Sequence, residues 1–528
     1  MKPSSFSFLL LLLLAASCGS DDPASTVIIP PSTPDTPSSG DNGGASGGSG
    51  TPASTAYLEQ YRPQIHYTPA KNWVNDPNGM VYVDGTWHLY YQYNPYGNSW
   101  GNMSWGHATS KDLMHWQEQS TVLYKDQLGD IFSGSAVLDK DNTAGFGAGS
   151  IVALYTSAGV HQQQSIAYST DKGMTYTTYS GNPVIGNTTR GDFRDPKVFW
   201  HEESQQWVMS LALGWSCGIE FWTSRDLKNW TFASQFTSDV VRCNQGQWEC
   251  PDLFPMDYNG QQKWVLIVSV NPGGPFTGSG TMYFVGDFDG KTFRAAPLDY
   301  PLWADYGMDN YAGVTWSNAP DGRHVFLGWM NNWTYSGDVP CSPWRSAFTL
   351  PRDLSLIDYQ GSPLLASRVS PEVEKLAGEW QTIDARTNVA STLQGNPSLV
   401  ASDGLRAYHL QATFALDAPC TITLSNEKGE KYALAYSTIG RRLSVARTQQ
   451  TGTCVNSFSM PGLYGPLRTE GNKVTLDIYV DQSSVEVFTA SGSMAMTNLV
   501  FPQTIYNQVT VSSSVQQLRY RPLISIWK

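Results

Sequence analysis

After Tyr57 no long stretch repeats its apolar residues with the 3.6-residue period of a helix. Short apolar runs broken by turn residues recur instead. Residues 80–83, then Asp84-Gly85, then residues 86–93 read as a hairpin closed by a type I′ turn. Asn259-Gly260 before residues 263–268 and Asp321-Gly322 before residues 324–329 repeat the signal. A degenerate motif also recurs. Ser110-Lys111-Asp112-Leu113 with Trp116 returns as Ser169-Thr170-Asp171 with Tyr176, as Ser224-Arg225-Asp226-Leu227 with Trp230, and loosely as Asp289-Gly290 with Phe293. The aspartates stand roughly sixty residues apart, enough for four short strands and their loops, the size of a β-propeller blade. A large sandwich is the alternative, but it lacks so long a repeat. From about Tyr61 to Leu356 there is room for roughly five blades. Beyond residue 356 the texture changes. A polar connector over 357–380 carries a short helix near 371–376. Strict alternation then resumes at 408–414, 421–424, 473–480 and 484–488, which predicts an antiparallel β-sandwich over 381–528. The expected chain is all-β: a propeller over 57–356, a connector, and a sandwich.

The first residues are patterned differently. Lys2 precedes an apolar run that includes Leu9 to Leu14, with small residues after it, the layout of an export signal. The run is too short for a membrane span. Ala15-Ala16-Ser17-Cys18 resembles a bacterial lipobox, with Cys18 as the lipidated residue, so residues 1–18 are expected to be removed up to that cysteine. An ordinary cleaved signal is the plainer alternative. Residues 19–56 are Gly, Ser, Pro, Thr, Asp and Asn with little that is apolar, a composition expected to form a tether rather than a core. Asp21-Asp22 resemble the acidic signals of surface-exported lipoproteins. The expectation is an exported bacterial lipoprotein at the outer membrane, facing the cell surface or the periplasm, joined to the membrane through Cys18.

Composition narrows the function. Charged residues make up 15% of the chain, against roughly 25% in an average globular protein. The net charge is −12, which gives no general attraction for phosphate backbones and argues against nucleic acid as a partner. Aromatic residues reach 12%, compatible with a sugar-stacking site or with a plain all-β core. Without Cys18 six cysteines remain, and no Cys-x-x-Cys pair occurs among them, so a zinc or thioredoxin-type site is unsupported. Cys420 and Cys454 share one segment; whether they pair is open, as is the oligomeric state.

Three carboxylates stand in unusual company. Asp76 lies in Asn75-Asp76-Pro77-Asn78-Gly79, just before a strand, where turn formation alone is an equal reading. Asp195 follows Arg194 and precedes the apolar run 198–200. Glu249 sits among Trp248, Cys250 and Pro251; pointing inward it would be poorly solvated, which raises a carboxyl pKa and suits a general acid. Asp76 and Asp195 are about two blade lengths apart, and Asp195 and Glu249 about one. If each opens the innermost strand of its blade, all three reach the central funnel. No metal or cofactor pattern accompanies them. Paired carboxylates without a metal in an aromatic-rich cleft point to glycoside hydrolysis.

The motifs around these residues make the resemblance specific. Trp73-Val74-Asn75-Asp76-Pro77-Asn78-Gly79, Phe193-Arg194-Asp195-Pro196 and Glu249-Cys250-Pro251 resemble the three signatures of glycoside hydrolase family 32, which contains invertases, inulinases and levanases. Gln92-Tyr93-Asn94-Pro95, Trp105-Gly106-His107-Ala108, Phe132-Ser133-Gly134-Ser135, Gly328-Trp329-Met330-Asn331-Asn332-Trp333 and Pro343-Trp344-Arg345-Ser346 match as well, in chain order. One departure is Val74, where many members carry Met. The resemblance implies a five-bladed propeller joined to a β-sandwich, and a retaining mechanism. It implies Asp76 as nucleophile, Glu249 as acid and base, and Asp195 as transition-state stabiliser with Arg194 beside it. Two nearby aspartates are expected to help keep Glu249 protonated. A retaining pair sits about 5–5.5 Å apart. The matching fructosyl-binding positions are Asn75, Gln92, Trp100, Ser133 and Trp329, with Asp309 as a candidate at the rim. Cys250 is expected to be a packing residue and His107 a structural one. The implied substrates are fructans such as levan or inulin, and sucrose. The 332–335 and 341–345 regions resemble the exo-acting branch. Endo action, fructosyl transfer and a non-catalytic fructan-binding protein are the alternatives.

Overall fold

Three Asx-Gly pairs close hairpins, as their chemistry dictates. Asp84 and Gly85 have φ of 47° and 73°, Asn259 and Gly260 of 52° and 77°, and Asp321 and Gly322 of 58° and 67°. Two successive left-handed residues give the twist that a tight antiparallel turn needs, and Asx and Gly adopt them at least cost. The computed structural model describes residues 57–241, 246–395, 404–447, 458, 461–513 and 515–527. The expected signal, Cys18 and tether lie outside them, as do Cys243 and Cys454.

Five antiparallel sheets follow one another along the chain. Their innermost strands are Asn72–Val83, Asp130–Asp139, Arg194–His201, Gln247–Tyr258 and Tyr311–Thr315. These sheets are the blades of a propeller. The recurring aspartate has a local cause: it caps the turn between the third and fourth strands of the first four blades. Asp112 Oδ1 accepts from the amides of Met114 and His115, Asp171 Oδ1 from those of Met174 and Thr175, Asp226 Oδ1 from those of Lys228 and Asn229, and Asp289 Oδ1 from those of Lys291 and Thr292.

Blades are buried on both faces, so central strands read as nearly continuous apolar runs. Ser150–Ala158 is buried at every position but the last. Apolar clusters join each blade to the next. Tyr90 and Trp105 of the first pack with Ile131 and Tyr155 of the second. Leu154 meets Met209 and Leu211, Phe221 meets Trp248 and Phe284, and Ile267 and Tyr283 meet Phe326 and Leu365. Trp73 and Leu89 pack with Val325 and Leu327, which closes the ring. Most of the aromatic excess is this inter-blade packing. Backbone hydrogen bonding closes the ring as well: Trp344–Arg345 pairs in parallel with Asn72 and Trp73.

The fifth blade runs past the expected limit at residue 356. Arg352–Tyr359 pairs with Ser362–Val369 as its outer hairpin, with the turn at Gln360 and Gly361. Part of the expected connector is therefore strand, because Leu364 and Leu365 are needed to cover the fourth blade. The short helix is present at Pro371–Leu376 as a 3₁₀ segment. Two six-stranded sheets then form the sandwich. Cys420 is a buried free thiol, and Cys217 is disulfide-bonded.

Propeller and sandwich meet through buried charges. The His66 ring bonds Asp481 at 2.7 Å and Glu486 at 2.8 Å. Arg352 donates to Asp305 at 2.9 Å and to Glu486 at 2.6 Å. Burial alone would lower the His66 pKa, but the bonds to Asp481 and Glu486 raise it from 6.5 to about 9. Burial opposes ionisation of Glu486, yet Arg352 and His66 hold its pKa near 2 rather than 4.5. The raised His66 contributes stability that is complete below pH 6.5 and lost as pH rises through 9; the depressed Glu486 contributes stability present above 4.5 and lost as pH falls through 2. Thermal unfolding should therefore be most favourable to the native state between pH 4.5 and 6.5. Replacing His66 by Gln should remove the decline on the alkaline side. A wild-type melting temperature flat from pH 6.5 to 9 would contradict a charged His66.

Candidate active site

All five innermost strands are interrupted near the same end. Pairing slips between Val74 and Pro77, between Ile131 and Gly134, opposite Arg194–Lys197, between Glu249 and Asp252, and between Tyr311 and Val314. A bulge breaks the alternation of side chains and re-aims one of them. In three of the strands a non-glycine residue there adopts positive φ: Asp195 at 64°, Cys250 at 47° and Ala312 at 51°. Such strain costs of order 1–3 kcal/mol and gathers where function needs it. The bulges bring Asp76, Ser133, Arg194, Asp195, Glu249, Cys250 and Tyr311 to one end of the propeller.

There Asp76, Ser133, Arg194, Asp195 and Glu249 border a cavity of about 440 Å³, with Cys250 and Tyr311 packed behind them. Eight residues expected at the site line it: Asn75, Asp76, Gln92, Trp100, Ser133, Arg194, Asp195 and Glu249. Asp76 is held on both oxygens. Oδ1 accepts from the Asn75 amide at 2.9 Å, and Oδ2 accepts from the Ser133 hydroxyl at 2.6 Å. The Asn75 amide is fixed in turn, since its oxygen accepts from Trp73 Nε1 at 2.8 Å. Gln92 donates to the Ile131 carbonyl at 3.0 Å. Burial raises the Asp76 pKa, and the bonds from Ser133 and Asn75 pull it back toward the ionised form. Burial also pushes Asp195 up, with Arg194 opposing and Glu249 and Asp76 reinforcing. Asp195 accepts the Cys250 amide at 3.0 Å. The Cys250 sulfur lies 3.6 Å from Asp76 Oδ2 and 3.7 Å from Asp195 Oδ2. Burial lifts its thiol well above the ordinary range, so it stays a neutral wedge between two carboxylates.

Glu249 has a cation for a neighbour, not only the two aspartates. Arg194 gives Glu249 Oε1 two bonds, at 3.0 and 2.7 Å, whereas its nearest approach to Asp195 is 3.9 Å. Arg194 is held in turn by Asp192, Gln162 and Gln247. The other oxygen, Oε2, accepts the hydroxyl of Tyr311. Tyr311 went unread in the sequence, although it opens the fifth inner strand as the other site residues open theirs. Its position in the series was the signal. That bond predicts a positioning role for Tyr311: Tyr311→Phe should lower kcat by roughly ten- to hundredfold, the worth of a hydrogen bond to a charged group. KM and melting temperature should move little; an unchanged kcat would leave Tyr311 a packing residue.

Two expected binding residues are elsewhere. Trp329 has no exposure and does not line the cavity; it packs on Trp73 and Trp333 with ring centroids 6.1 and 4.8 Å away. Trp333, from the same motif, faces the cavity instead. Asp309 is also fully buried. It accepts from Arg447 at 2.8 Å and from the Leu499 amide at 2.7 Å, and Tyr335 donates to it at 2.5 Å. It ties the fifth blade to the sandwich and is not at the rim. His107 is buried, bonded to His88 at 3.1 Å and stacked on Tyr90, as expected of a structural residue. Among the described residues no group of three or more His, Cys, Asp or Glu is arranged to hold a metal ion.

A propeller with three convergent carboxylates at its mouth, followed by a sandwich, defines a class of glycosidase. Residues 66–367 match the glycosyl hydrolases family 32 N-terminal domain, and residues 372–528 match the glycosyl hydrolases family 32 C-terminal domain. The chain belongs to this family and is a glycosidase. It is 43% identical to a levanase of Bacillus subtilis over 90% of this chain and 72% of that protein. It is 38% identical to an extracellular exo-inulinase of Aspergillus niger over 84% of this chain and 90% of that one. The crystal structure of an exo-inulinase from Aspergillus awamori superposes with a TM-score of 0.81 at 34% identity, covering 89% of this chain and 100% of that chain. A β-fructofuranosidase from Schwanniomyces occidentalis, complexed with fructosyl-erythritol, gives a TM-score of 0.78 at 31% identity over 90% of this chain and 99% of that chain.

Proposed function

We propose that this enzyme hydrolyses β-fructofuranosidic bonds in fructans such as levan and inulin, and in sucrose, releasing fructose from chain ends with retention. The observation that carries the reading is the convergence of Asp76, Asp195 and Glu249 in one cavity, with Asp76 held on both oxygens by neutral donors. Such donors favour an ionised nucleophile without neutralising it. In the first step Asp76 attacks the anomeric carbon while Glu249 gives its proton to the departing oxygen. A covalent fructosyl–Asp76 ester results. In the second step Glu249 takes a proton from water, the water oxygen attacks the same carbon, and the ester bond breaks. Asp195 faces the sugar hydroxyls and the charge that develops on the ring. Asn75, Gln92, Ser133 and Trp100 bind the fructosyl unit.

The named activities of the relatives, levanase and exo-inulinase, support both the substrate class and exo action. The extracellular relatives support export. Lipid attachment at Cys18 and a membrane-held tether belong to the same proposal; incorporation of labelled fatty acid, lost on Cys18→Ala, tests them. Early products from levan, inulin and sucrose test the main reading. From levan and inulin fructose is the expected sole early product, and from sucrose fructose with an equal amount of glucose. A ladder of oligosaccharides would mean endo action, and no reducing sugar at all would mean a binding protein.

A further inference from the structure

A second hollow, of about 350 Å³, adjoins the catalytic cavity, and its size falls within the rough 300–1,000 Å³ range of small-molecule sites. Arg190, Asp192, Trp215, Ser216 and Glu220 line it. Asp192 and Trp215 border both spaces. Two tryptophans stand out among the exposed large apolar residues, Trp100 at 50% and Trp215 at 60%, and both line the catalytic cavity.

Trp215 is exposed but not loosely held. It sits in the 3₁₀ turn Gly214–Ser216. The amide of Ser216 donates to Leu213 O at 2.7 Å and that of Cys217 to Gly214 O at 3.0 Å. On one side Gly214 has φ +27°, and a Cβ there would come within 2.3 Å of the Asp192 side chain, so the turn lies directly on Asp192. On the other side Cys217 is disulfide-bonded and its sulfur faces Gly246 O at 3.2 Å. A turn fixed in this way holds the Trp215 backbone in place, so little of the chain has to be ordered on binding. The polar groups beside it complement a sugar edge: Arg190 and Glu220 stand 2.7 Å apart, a donor next to an acceptor.

The hydrogen-bond chain gives the direction. Glu249 bonds Arg194, Arg194 bonds Asp192, and Asp192 carries the Trp215 turn. Asp76 is served from the other side, by Asn75 and Ser133. The hollow is thus on the side of the acid, toward which the leaving group departs. We infer that Trp215 and this hollow bind the sugar units beyond the cleaved bond on the leaving-group side. They thereby make the enzyme prefer longer fructans to the disaccharide. A sugar ring lies on the indole, and its hydroxyls meet Arg190 and Glu220. The inference rests on the fructan reading above.

The test is kcat/KM for sucrose and for fructose oligomers of increasing length, with wild-type enzyme and with Trp215→Ala and Trp215→Phe. The ratio of the long-oligomer value to the sucrose value should fall roughly tenfold in Trp215→Ala, the scale of one lost aromatic contact. Trp215→Phe, which keeps a ring, should retain most of the preference. If the ratio is unmoved in Trp215→Ala, or all lengths fall in parallel, the subsite does not exist although the enzyme is a fructan hydrolase. If wild-type protein releases fructose from none of these sugars, the fructan reading fails and takes the subsite with it.

Discussion

Glu249→Gln should lower kcat on a fructan by about three orders of magnitude, the middle of the range for losing a general acid–base group, with melting temperature unchanged. The side chain keeps its shape and an oxygen for Arg194, and the Tyr311 hydroxyl can accept as well as donate. What disappears is the transferable proton. About three orders of magnitude correspond to roughly 4 kcal/mol of transition-state stabilisation. The loss should depend on the leaving group. A fructosyl substrate whose leaving group departs without protonation should still form the ester on Asp76, then stall because no base activates water. Asp76→Asn should fail with both substrates, since no ester forms. Stopped-flow release of an activated leaving group checks this: a burst with Glu249→Gln and none with Asp76→Asn is the expected pair. Full activity of Glu249→Gln on a fructan would end the assignment.

The second large effect is on stability. Arg352→Met should destabilise the chain by about 3–5 kcal/mol, the cost of stripping one partner from a buried ion cluster. Arg352 has no exposed side-chain surface, and its partners Asp305 and Glu486 are almost as deep. It also donates to Thr497 at 2.5 Å. Without the guanidinium two carboxylates face each other inside the protein, with His66 as the remaining cation near Glu486. Adding Asp305→Asn and Glu486→Gln to Arg352→Met should recover part of the loss, because the uncompensated charges then vanish. Denaturant unfolding of the single and triple variants checks this. A single variant within about 1 kcal/mol of wild type would place the cluster among the weak ion pairs. At temperatures where Arg352→Met is folded, kcat should stay at the wild-type value, since the cluster lies at the sandwich and not at the cavity.

Much of this architecture was legible along the chain. Asp84-Gly85 and Asn259-Gly260 need only local backbone preferences to become turns. The aspartate repeat reports an interaction that spans two to four residues. The three carboxylates lie in contiguous motifs, so their identity required no knowledge of packing. The misreadings have a different origin. Trp329 and Trp333 share one motif, yet one is buried and the other faces the cavity, a choice set by the bulge opposite and by the rings of Trp73 and Tyr311. Asp309 lies beside the site motifs in the chain, but its partner, Arg447, is 138 residues away in another domain and draws it from the rim into the interior.

The same distinction holds for the site as a whole. Turn chemistry, strand period, blade length and the three motif-borne carboxylates proposed for catalysis depend on neighbours in the chain, and the order of residues alone reveals them. The partners of Glu249 do not: Arg194 is 55 residues before it and Tyr311 is 62 after it. Their approach follows from ring closure and from five bulges falling at one level, which only packing between sheets establishes. Trp215 belongs to this second kind. Its type and place in the chain are ordinary, and its exposure over the cavity comes from a turn lying on Asp192 and a disulfide at Cys217.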